Sequence, residues 1–153
     1  MEERQKKLLK LLRKPLKVSE EPSSIPKLDS VKKHGSLDEI LTDKGLAKLG
    51  DSYINFVYSL AKSKKRNELT NERVPSKVLA EALKKAGLRE YLPSRTNRHD
   101  QGDAIEALII YGWLYGIISL EESVSILEND ADVPVEAFTN LIGMIIKRLD
   151  VIK

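Results

Sequence analysis

Cysteine is absent from the sequence. That excludes disulfides, thiolate zinc sites and cysteine nucleophiles, and it fits the reducing cytoplasm, the expected compartment. No apolar run approaches the stretch of about 20 residues that a membrane helix needs, and the basic N-terminus has no continuous hydrophobic signal region. There is no glycine-rich phosphate loop, no internal repeat, and no useful length of the alternation that marks strands. Ser52 lacks an adjacent histidine and a strand–turn–helix elbow, which speaks against a hydrolase triad. Histidine occurs only at positions 34 and 99, so an oxygen-ligand site, the kind that suits Mg²⁺, is the chemically plausible metal site.

What is present is a chain of 153 residues, 41% apolar and 32% charged, long enough for one real core. The net charge of +3 conceals an asymmetry. Residues 1–33 carry +5 and residues 34–61 carry −2; residues 62–98 have eleven basic against four acidic side chains, and residues 99–153 three against ten. A basic middle section can hold a polyanion through its phosphates, although a merely solvated charged face has the same pattern.

Apolar spacing predicts an all-α fold of six or seven helices. Leu8, Leu9, Leu11 and Leu12 lie on one side of a short basic helix that Pro15 stops, and a proline-containing arm follows. Residues 1–33 are therefore read as helix and arm, and residues 34–153 as the folded domain. "SLDE" at 36–39 and "SLEE" at 119–122 both have the capping-box pattern. From Thr42 to about Ser63, apolar residues recur at helical spacing. Gly45 and Gly50 inside this segment each cost about 1 kcal/mol relative to alanine, which points to a tight crossing with another element. Residues 62–73 read as a basic loop. Pro75 starts and Gly87 ends the next helix, Leu88 to Leu92 suggest a further turn, and "SRTNRHDQG" reads as a polar loop. "PVEAFTNLIGMIIKRLDVI" is a final amphipathic helix.

"GDAIEALIIYGWLYG", residues 102–116, raises the chemical question. Its apolar run marks a helix buried on most sides, in which Tyr111, Trp113 and Tyr115 pack the core, yet Asp103 and Glu106 sit three residues apart and so on one face. Buried carboxylates are costly unless paired, hydrogen-bonded or bound to metal. Local pattern favours a cap, with Asp103 at the N-cap and Glu106 returning a bond. The alternative is a pocket in which both acids share a divalent cation. Asp51 poses the same choice: it is an N-cap if the helix breaks at Gly50, and an acid without a capping role if the helix continues.

"LGDS" at 49–52 in an amphipathic helix, followed after a basic insert by "DAIEALI" at 103–109, resembles ribonuclease III. That family's first signature helix contains Glu-Phe-Leu-Gly-Asp, and its later helix carries Asp-x-x-Glu-Ala-Leu-Ile-Gly. The resemblance covers about residues 36–120. It implies an all-helical, dimeric nuclease domain that cuts double-stranded or structured RNA with Mg²⁺ or Mn²⁺. It also implies that Asp51, Asp103 and Glu106 are metal ligands, with Asp51 and Glu106 catalytic. Lys62, Lys64, Lys65, Arg66, Arg73, Lys77, Arg95 and Arg98 become the expected RNA contacts, since A-form RNA is gripped through phosphates and 2′-hydroxyls. With no room after the second motif for a double-stranded-RNA-binding domain, the chain is similar to the short enzymes called Mini-III. It departs from the family pattern where the fourth carboxylate belongs, at Ala47, and also at Gly45 and Lys44. Asp43, about 12 Å back along the helix axis from Asp51, is a poor substitute. These departures keep open a non-catalytic RNA-binding or ribonucleoprotein scaffold. A small helical interaction protein, using the Leu-rich N-terminal helix, is the third reading.

Overall fold

The long apolar stretch forms the hub of an all-helical fold. The computed structural model describes residues 2–6 and 34–152, and among these there is no strand. After His34 come α1 (Leu37–Leu41), α2 (Lys44–Arg66), α3 (Ser76–Lys85), a 3₁₀ turn (Arg89–Tyr91), α4 (Arg98–Leu114), α5 (Leu120–Asn129) and α6 (Pro134–Ile152). Residues 3–6 make a helical turn, but Leu8 to Leu12 and the proline-containing arm lie outside the described residues.

α4 packs against α1, α2, α3 and α6, which is why its residues from Ala107 on are apolar on every side. Ile105, Leu108 and Ile109 of α4 are fully buried with Leu79 and Leu83 of α3 and Phe138, Leu141 and Ile142 of α6. Tyr111 is buried as expected, and Trp113, half-buried, stacks on Tyr53 of α2 at 5.2 Å between ring centroids.

Several boundaries differ from the sequence reading. α2 runs on to Arg66, so residues 62–66 are helical, not loop. Lys64, Lys65 and Arg66 in its last turn suit the negative end of the helix dipole, and Asn67 closes it in the left-handed region at φ 53°. The box at Ser36 does not form: its side chain makes no cap bond, and Glu39 instead accepts from the Gly35 N–H at 3.1 Å. At Ser119 the box is complete, with Glu122 also bound to Arg148 of α6. That guanidinium, with the Ser119 N–H, holds the Glu122 carboxyl down at about 2. Ser119→Ala is expected to cost about 0.5–2 kcal/mol, read as a lower urea midpoint at unchanged slope.

Candidate carboxylate site

The site is made by one close crossing. α2 is continuous through Gly50, which excludes a capping role for Asp51; the cap is Asp43, whose side chain accepts from the Leu46 N–H at 3.0 Å. Gly50 lies on the backbone of Glu106. A Cβ at this position would stand 2.1 Å from the Glu106 carbonyl oxygen and 2.6 Å from its carbonyl carbon. The tight crossing expected from the glycines thus occurs at Gly50. Gly45 makes none, since its nearest neighbour is the Asp43 carboxylate.

α4 begins six residues earlier than a cap at Asp103 would have it. Asn97 is the N-cap, accepting from the Asp100 N–H at 2.8 Å, so Asp103 stands inside the helix and the capping reading of Asp103 and Glu106 is overturned. Packing selects this start. Gln101 and Gly102 are buried, and a Cβ on Gly102 would already touch Ser76 at 3.4 Å. Asp103 and Glu106 therefore project from the second and third turns of a helix whose neighbours are fixed.

Together α2, α4 and the start of α3 enclose a cleft of about 350 Å³ lined by Lys44, Ala47, Lys48, Asp51, Ser76, Asp103 and Glu106. The three acids named from the sequence thus share one wall-to-wall space. Their exposure is graded: Asp51 is exposed, Asp103 intermediate and Glu106 buried, at 9%. Burial, reinforced by the negative charges of Asp51 and Asp103 and by a hydrogen bond with Asp51, pushes the Glu106 carboxyl up to about 7. Glu106 can therefore hold or release a proton near neutral pH. Asn55 steadies Asp51 by donating to its Oδ1 at 3.2 Å.

Lys44 and Lys48 were missed by the sequence reading, although Lys44, Lys48 and Asp51 share one face at i, i+4, i+7. Lys44 Nζ reaches Asp100 Oδ1 at 2.7 Å and Asp103 Oδ2 at 3.1 Å. The ammonium pKa is raised, chiefly by the bond to Asp100, so Lys44 stays charged. Asp43, bonded to His34 Nε2 at 2.8 Å, is engaged outside the cleft, and His99 is exposed.

The donor set fits a hard divalent cation in its chemistry. All the ligand atoms would be carboxylate oxygens on one cleft, and the negative charge of Asp51 and Asp103, which adds to burial in raising the Glu106 carboxyl, is what a cation relieves. The set is not closed: among the described residues no three His, Asp or Glu side chains are grouped so as to hold a metal. Glu106 bonds Asp51, whereas Asp103 bonds Lys44.

The basic residues divide into two groups. Lys62, only 11% exposed at its side chain, lies 5.7 Å from the Tyr58 ring centroid and 3.7 Å from Asp132; Lys64 pairs with Glu128 and Arg66 with Glu72. Lys65, Arg73, Lys77, Arg95 and Arg98 are exposed and have no acidic partner among the described residues. Lys77 directly follows Ser76 of the cleft, and Arg98 opens α4.

An all-helical domain, with a carboxylate-lined cleft where α2 crosses α4, is thus defined. The family model described as ribonuclease III matches residues 44–152, from the first residue of α2 to the end of α6. The chain belongs to the ribonuclease III family, which makes its function ribonuclease-type in general terms and RNA the partner class. A search of curated proteins found no match. Among the described residues no helix is long and apolar enough to cross a membrane.

Proposed function

We propose that this protein is a metal-dependent endoribonuclease acting on double-stranded or structured RNA. The observation that carries the reading is the Gly50 crossing, which sets Asp51 against Glu106 and turns Asp103 onto the same cleft. Asp51, Asp103 and Glu106 would hold Mg²⁺ or Mn²⁺. The bound ion would activate water and stabilise charge on the phosphate. Glu106, a carboxyl that titrates near neutrality, is suited to accept or return a proton. Lys65, Arg73, Lys77, Arg95 and Arg98 supply exposed positive charge for the RNA backbone. The homodimer reading is supported by exposed apolar side chains on α2 and the loop after it. Leu49 is 42%, Phe56 55% and Leu69 91% exposed, and Phe56 and Leu69 line one groove.

A non-catalytic RNA-binding scaffold is the second reading, favoured by Ala47 in the cleft wall and by the Lys44 ammonium on Asp103. Incubation with duplex RNA and Mn²⁺ or Mg²⁺ separates the two. Cleavage by the wild type, lost in Asp51→Asn, is the expected result. Salt-sensitive binding without cleavage at high protein concentration would leave the scaffold, and no binding would remove both.

A further inference from the structure

Lys44 is an unusual neighbour for a cation site. It is the first residue of α2, and its stem reaches across to α4 to place one ammonium between two carboxylates, 56 and 59 residues further along the chain. All three side chains are well exposed, at 56% for Lys44, 42% for Asp100 and 40% for Asp103. Water competes with such a triplet, and ion pairs this exposed contribute little to folding stability. The placement therefore has more effect on the charge of the cleft than on the fold.

Asp51, Asp100, Asp103 and Glu106 meet Lys44 and Lys48 around this cleft. Asp103 accepts from Lys44 through Oδ2, and among the described residues the acids of this space are not grouped as a ready ligand cluster. The shorter of the two Lys44 contacts goes to Asp100, which is not among the cleft-lining residues. An ammonium released by Asp103 thus keeps a carboxylate partner.

We propose that Lys44 is a displaceable internal cation: in the metal-free protein its ammonium holds Asp103, and a divalent ion gains Asp103 only by driving Lys44 back onto Asp100. The inference rests on the reading of Asp51, Asp103 and Glu106 as the cation site. It makes Lys44 a positioning residue that sets how tightly the ion is held. Lys48 provides the contrast. It lines the same cleft with the same charge, but it has no ion pair among the described residues.

Mn²⁺ titration followed by the electron paramagnetic resonance signal of the free ion tests this without any substrate. Lys44→Ala and the longer Lys44→Gln are expected to bind about tenfold more tightly than wild type, the scale expected when a positive charge that competes for a ligand oxygen at hydrogen-bond distance is removed. Lys48→Ala should gain less than about threefold, as befits one exposed, screened charge. Equal gains in the Lys44 and Lys48 variants would mean that only net charge matters, and would overturn the proposal. Unchanged or weaker binding in both Lys44 variants, with binding lost in Glu106→Gln, would overturn it while leaving the carboxylate site standing. Failure of every form to bind would remove the site reading together with it. Circular dichroism confirms that each variant is folded: Lys44 and Lys48 are exposed, and glutamine at the buried Glu106 keeps the shape of its protonated side chain.

Discussion

Gly50→Ala should destabilise the protein by about 2 kcal/mol or more, although it replaces the poorer helix former by the best one. Mid-helix, the change alone is worth about 1 kcal/mol in favour of alanine. Against this stands a new methyl 2.1 Å from the Glu106 carbonyl oxygen and 3.0 Å from its Cβ. Backbone cannot turn aside as a flexible side chain does, so α2 and α4 must separate. Overpacking of a well-packed contact costs about 1–3 kcal/mol and occasionally more, and here it acts on the most extensive helix pair of the fold. Gly143→Ala is the matched control. It lies exposed in α6 with nothing within 4 Å of the added Cβ, and should stabilise by up to about 1 kcal/mol. Urea denaturation of the two variants reads both signs. Equal effects would mean that the crossing is not close. On the reading of the cleft as a nuclease site, Gly50→Ala also loses cleavage, because Asp51 is carried away from Glu106.

The same crossing marks the boundary of what local pattern reveals. A glycine in an amphipathic helix suggests close approach, a reading that holds at Gly50 and fails at Gly45; that the neighbour of Gly50 is Glu106 was not legible, because helical periodicity carries no information about which helix lies opposite. The start of α4 failed for a related reason. Ser94, Thr96, Asn97, Asp100 and Asp103 are all acceptable caps in one short stretch. The choice of Asn97 was made by tertiary contacts, in particular the seating of Gly102 on Ser76. Family resemblance singled out Asp51, Asp103 and Glu106 where capping rules gave them another role, but it marks Lys44 only as a departure from the pattern and cannot give its partners, which are remote in sequence. Charge counting along the chain misleads in the opposite direction. Lys62 and Lys64 belong to the basic segment, yet Asp132 and Glu128 of the acidic C-terminal part come back to pair with them.

Glu106→Gln is expected to gain stability and lose activity. The folded carboxyl titrates at about 7 and the free one at 4.5, so between these values the folded state binds more protons than the unfolded state. The protonated form contributes its full stability below about pH 4.5, and that contribution is lost as pH rises through about 7. Glutamine keeps the shape of the protonated acid and can donate to Asp51, but it never ionises. In EDTA at pH 8 the variant should be more stable than wild type by about 1–3 kcal/mol, since each pKa unit is worth about 1.4 kcal/mol. At pH 4.5 the difference should shrink towards zero. The depressed Glu122 carboxyl weakens both proteins equally below its ordinary range and cancels in the comparison. Added Mn²⁺ should narrow the gap at pH 8, because an ion that binds only the folded wild type stabilises it by mass action. On the reading of the cleft as a nuclease site, cleavage of duplex RNA should fall by about a hundredfold or more, the usual loss for a positioned acid–base group. A variant less stable than wild type at pH 8 would mean that Glu106 is an ordinary hydrogen-bonded core acid. Stability gained together with activity lost is the combination that a carboxylate kept for chemistry produces, since the fold alone would be better served by glutamine.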